Sequence, residues 1–105
     1  MNAETQFPGM PAYPIKKRIG VAGVNVVLLN VPPNENCPRN VFGLTDQGDV
    51  LWQVEPRPAE EPNNTYTSMR EELGVVVART SDNVQRKIDP KTGKVLQEER
   101  IAEGS

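Results

Sequence analysis

The chain has 105 residues, a formal charge of −2, ten prolines and no histidine. That length fits one domain able to bury a core without a disulfide or a metal. The acidic balance argues against a nucleic-acid binder, which needs a surplus of Lys and Arg, and the missing histidine removes the commonest general base and most zinc sites.

All prolines but Pro90 fall in three runs, 7–14, 32–38 and 55–62. Proline gives no amide donor to a sheet, so these runs read as loops or a tail. Residues 1–14 form a flexible or extended N-terminal arm, whose Phe7, Met10 and Tyr13 could pack on the domain or on a neighbour. The domain spans 15–101. Its first stretch, Ile15-Lys16-Lys17-Arg18-Ile19-Gly20-Val21-Ala22, lacks helix features, and its basic cluster reads as a solvated strand face with mild anion contact as the alternative. The run Val24 to Val31 is apolar on both alternating faces and predicts a strand buried on two sides, with a turn near Ala22-Gly23 before it.

Asn40 to Leu44 and Val50 to Val54 predict a hairpin around Asp46-Gln47-Gly48-Asp49. Within it Phe42 and Leu44 share one face, Val50, Trp52 and Val54 share another, and Gly43 marks a bulge or close approach. Asn64 to Met69 reads as a strand. Beyond it two readings compete: a strand to about Arg70 with a turn at 71–74, which we favour, or one short helix near 68–73 between the capping box Ser68-Met69-Arg70-Glu71 and Gly74. Val75 to Thr80 is a strand and Ser81-Asp82-Asn83 a turn. Val84 to Ile88 and Lys94 to Arg100 form a last hairpin with largely polar arms, suited to an edge facing water. Residues 102–105 are a frayed tail. The fold class is all-β: an antiparallel sheet of about eight short strands curled as a small barrel or sandwich.

One phrase occurs twice. Leu44-Thr45-Asp46-Gln47-Gly48-Asp49-Val50-Leu51-Trp52 is echoed by Ile88-Asp89-Pro90-Lys91-Thr92-Gly93-Lys94-Val95-Leu96-Gln97, each an apolar residue, a polar turn closed by Gly, a charged residue and Val-Leu. These phrases resemble blade hairpins of quinoprotein-type β-propellers. The second copy fits better; the first has Thr45 for Asp and a turn one residue shorter, and the second lacks the Trp, with Gln97 in its place. About eight strands give at most two blades, so the chain must close on itself or oligomerise. The layout also resembles small stand-alone bacterial proteins of uncharacterised function, some carried on mobile gene cassettes. Neither resemblance brings catalytic residues or a quinone cofactor.

No motif for catalysis, metal binding or phosphate cradling stands out, and no cofactor or metal is expected. Asp46, Asp49 and Asp89 read as turn formers, and Glu60-Glu61 and Glu71-Glu72 as solvated pairs whose members point to opposite strand faces. Cys37 stands alone without a histidine to activate it. Trp52 and Tyr66 are the candidate ligand- or partner-binding residues, Trp52 with core packing as its competing role, and the loops 31–40 and 55–64 could line a pocket with them. Residues Met1 to Gln6 offer no basic n-region or apolar stretch, and no apolar run is long enough to span a bilayer. A cytoplasmic location without membrane or nucleic-acid contact is therefore expected. The expected function is a non-catalytic small-ligand or protein-binding/assembly module that self-associates as a homodimer. The alternative is a small hydrolytic enzyme using Asp or Glu near Tyr66.

Overall fold

The computed structural model describes residues 13–32, 34, 35, 37, 39–56 and 64–101. The arm up to residue 12, the middle of the 55–64 loop and the 102–105 tail lie outside the described residues.

Alternating apolar residues and short turns produce eight strands: β1 (Ile15–Val21), β2 (Val24–Leu29), β3 (Val41–Leu44), β4 (Val50–Gln53), β5 (Tyr66–Glu72), β6 (Val75–Thr80), β7 (Val84–Ile88) and β8 (Val95–Arg100). They form two antiparallel four-stranded sheets, β1-β2-β3-β4 and β5-β6-β7-β8, each in chain order. The sheets do not close into a barrel, and the sandwich form of the expected fold is the one observed. The helix considered near 68–73 is absent. Those residues lie in β5 as far as Glu72, and Leu73 and Gly74 make the corner to β6. Six residues cannot repay helix nucleation, whereas β6 offers a ladder of valines along which Met69 reaches Ala78.

The two sheets are copies of one pattern. β1 and β2 turn at Ala22-Gly23 (φ 52° and 78°), β5 and β6 at Leu73-Gly74 (φ 52° and 81°). Both corners need two successive positive φ values, the geometry that follows strand twist in a two-residue hairpin. The register breaks between Ile15 and Lys17 in β1, and between Tyr66 and Ser68 in β5. It breaks again between Gly43 and Leu44 in β3, and between Lys87 and Ile88 in β7. Pairings match across the middle too: Val27 faces Phe42 as Ala78 faces Arg86, and Gly43 faces Trp52 as Lys87 faces Gln97. Thr45 and Asp89 hold equivalent turn positions; each accepts, through its side-chain oxygen, the N–H two residues on (Gln47, 3.2 Å; Lys91, 2.9 Å).

The sheets stack face to back. Val26, Leu28, Val41, Trp52 and Val54 of the first sheet pack in one core with Tyr66, Met69, Val76, Ala78 and Ile88 of the second. The positions matching Val26 and Trp52 in the second sheet are Val77 and Gln97, which sit on its other face; Ala78 and Ile88 match Val27 and Leu44. Val27, Leu29, Phe42 and Leu44 form a separate buried cluster on the first sheet's second face, packed by Tyr13, Ile15 and Val50. β2 is thus buried on both sides, as its unbroken apolar run requires.

Candidate partner-binding groove

Asn40 ties the sheets together where β2 ends and β5 begins. Fully buried, it donates through Nδ2 to the carbonyls of Leu29 (2.9 Å) and Tyr66 (3.0 Å), and its Oδ1 accepts the Tyr66 N–H (2.8 Å). Such a residue satisfies three buried backbone groups at the point where the chain changes sheet. The 31–40 loop is fastened beside it. Cys37 N–H donates to Thr65 Oγ1 (2.9 Å), Arg39 Nε to the Val54 carbonyl (2.8 Å), and Gln53 Nε2 to the Arg39 carbonyl (2.9 Å). Burial pushes the half-buried Cys37 thiol up, and the Glu35 charge adds to the effect.

The two residues singled out from sequence both lie in the inter-sheet core. Trp52 is 7% exposed. Its indole rests over Gly43 across the β3–β4 ladder, where a Cβ would overlap the ring, and reaches Gly93 in the β7–β8 corner. The indole N–H donates to the Pro90 carbonyl (2.8 Å). Tyr66 is 3% exposed, and its hydroxyl accepts from Arg86 Nη1 (2.9 Å). Neither ring lines an open surface.

A groove of about 470 Å3 opens beside them, lined by Glu55, Pro56, Arg86, Val95, Leu96, Gln97 and Glu98. Among the described residues, the 55–64 loop contributes Glu55 and Pro56 and the 31–40 loop contributes none. Tyr66 meets the groove through the bond between its hydroxyl and Arg86. That arginine is 4% exposed because it alternates with Val84 and Ile88 along β7. Its Nη1 also donates to the Glu55 carbonyl (3.1 Å). Its Nε lies 3.0 Å from Glu98 Oε1 but off the line of the N–H, so that contact is an ion pair rather than a directed hydrogen bond. Glu55 also crosses from the first sheet to the second. Its N–H donates to the Gly93 carbonyl (3.0 Å), and its carboxylate accepts the Val95 N–H (2.9 Å).

Beyond Val95 the groove continues along β8, the outer strand of the second sheet, exposed from Leu96 to Arg100. Leu96 is 59% exposed, and its counterpart Leu51 on the first sheet's outer strand is 51% exposed. The surface therefore offers a strand edge that no other strand pairs among the described residues, an apolar foothold and carboxylates at Glu55, Glu98 and Glu99. Sequence reasoning missed Arg86, Glu98 and Asn40. The apolar alternation of Val84 and Ile88 around Arg86 was the available signal for the first; nothing local distinguished Asn40.

Among the described residues no group of three or more His, Cys, Asp or Glu could hold a metal, and no helix is long and apolar enough to cross a membrane. Nothing among curated proteins and nothing among solved structures matches the chain. A family model described as a domain of unknown function, DUF7957, matches residues 10–100, nearly the whole chain, and the chain belongs to that family.

Proposed function

We propose that the protein is a non-catalytic binding and assembly module that takes an extended polypeptide along the β8 edge and the adjoining groove. The observation that carries this reading is the coincidence of an exposed edge strand, unpaired on its outer side by any described strand, with a groove floored by the buried Arg86 and bordered by Leu96. Main-chain bonds along an edge give affinity, and flanking pockets give selectivity. The groove carboxylates support a binding role over hydrolysis: Glu55 accepts the Val95 N–H, and Glu98 faces Arg86. Trp52 and Tyr66 act here by fixing the seam that shapes the groove. Two meanders in one register, stacked face to back, support the blade resemblance within this proposal. Self-association, a homodimer being its simplest form, and a cytoplasmic location belong to the same reading.

Amide shift mapping tests it. Pools of short extended peptides added to the labelled protein should move the amides of Val95 to Arg100 and of Glu55. Pools that leave β8 untouched, while the spectrum remains that of a folded protein, sink the proposal.

A further inference from the structure

The strand at the opposite corner of the sandwich complements β8. β1 is an outer strand of the first sheet, and in it Lys16, Lys17 and Arg18 are exposed. It lies beside β5 through the stacking of the sheets, with Lys16 Nζ donating to the Thr67 carbonyl (2.8 Å). In the plane of its own sheet it is hydrogen-bonded only to β2 among the described strands. Both strands are long for edges, seven residues in β1 and six in β8, and neither contains proline. Their central charges are opposite, Lys17-Arg18 on one and Glu98-Glu99 on the other, although β8 ends in a cation, Arg100.

Edge charges commonly prevent strands from pairing with themselves. That holds here for β1 with β1, where only cations would gather, and for β8 with β8 in the registers that set Glu98 and Glu99 against each other. It fails for β1 with β8. We propose that the occupant of the β8 edge is β1 of a second copy, added antiparallel so that Lys17 stands opposite Glu99 and Arg18 opposite Glu98. One pair then falls on each face of the extended sheet, because neighbouring residues alternate. The same alignment sets Ile19 opposite Gln97 and Gly20 opposite Leu96, and stops short of Val95, whose N–H Glu55 already holds. It also sets Lys16 opposite Arg100, a like pair whose heads are drawn apart, Lys16 to the Thr67 carbonyl and Arg100 to the Asp82 carbonyl.

The geometry has a further consequence. β1 and β8 belong to different sheets and different sides of the stack, so the contact is head to tail rather than two-fold. Its smallest product is a dimer with one edge still open on each chain, and growth into longer species follows with concentration. This inference rests on the reading of β8 as the binding edge but adds the identity of the partner.

The test uses the full chain and three variants, Lys17→Glu, Glu99→Lys and the double variant. Arg18 and Glu98 are left alone, because Glu98 also faces the buried Arg86. Sedimentation velocity across a concentration series should show association that weakens in 0.5 M salt. Each single reversal should weaken it about five- to tenfold, the scale of replacing an attractive cross-strand pair by a repulsive one, and the double variant should recover it. Amides of β1 and β8 should broaden together as concentration rises, while Trp52 fluorescence shows each variant folded. A strict monomer at millimolar concentration overturns the inference, as does association that ignores both reversals. Either result leaves peptide binding at β8 standing, because the shift mapping above reads that separately.

Discussion

The indole of Trp52, carried by the first sheet, lies against Gly93, the corner glycine of the second. A Cβ on Gly93 would stand 2.6 Å from Cε3 of the ring. Gly23 has the same backbone angle, φ 78°, but nothing within 4 Å of a built Cβ. Comparing the two separates the cost of a positive φ from the cost of the contact. Gly23→Ala should lose about 1 kcal/mol, and Gly93→Ala about 2–4 kcal/mol, because overpacking adds to the backbone term. Urea denaturation of both variants measures the difference; equal losses would show that the seam tolerates an extra methyl group.

Asn40→Ala should cost about 2–4 kcal/mol, since it removes three buried hydrogen bonds, to the Tyr66 N–H and to the carbonyls of Leu29 and Tyr66. Asn40→Asp keeps the acceptor and loses both donors, so it should recover little. Hydrogen exchange offers the check: protection at the Tyr66 amide should fall earlier than protection within β6 and β7.

Arg86 poses an electrostatic question. Removing it by Arg86→Ala should cost about 3 kcal/mol or more, because a cavity opens and the Tyr66 hydroxyl and Glu55 carbonyl lose a donor. Glu98→Gln should cost less, since Glu98 is the more exposed partner, with 36% of its side chain accessible against 5% for Arg86. Thermal unfolding of the two variants tests this ordering; a larger loss in Glu98→Gln would reverse the account of the pair.

Cys37 should react slowly. Burial and then the Glu35 charge hold its thiol proton more tightly in the folded chain than in the unfolded one. The stability contribution is therefore intact below the ordinary thiol range and is lost as pH rises through the raised folded value. Alkylation by iodoacetamide at pH 8, followed by mass spectrometry, should be slower folded than in urea. Glu35→Gln should speed the folded reaction modestly, because it removes the smaller of the two causes.

Much of this architecture was legible from residue order. The valines of β2, the corners at Gly48 and Gly93 and the polar arms of the last hairpin each state their geometry locally, through side-chain alternation and turn chemistry. The copy of β1–β2 in β5–β6 was harder to read. Its corner glycines Gly23 and Gly74 match, but the strands around them share almost no side chains. The candidate site was less legible still. Trp52 and Tyr66 stand out as rare, large residues, and the fold spends both on the seam. Arg86 sits within a charged hairpin, and its burial depends on which face of β7 meets the other sheet. That is a fact of long-range pairing, carried by no short window of sequence.

Face-to-back stacking places corresponding residues of the two halves under opposite selection. Where one half needs an indole at Trp52, the other needs a water-compatible Gln97; where one buries Phe42, the other buries Arg86. Ancestral likeness would be erased position by position while the hydrogen-bond ladder stayed intact. A substitution harmless in one half is therefore a poor guide to its counterpart, and kinship between the halves is better judged from corners and bulges than from side-chain identity.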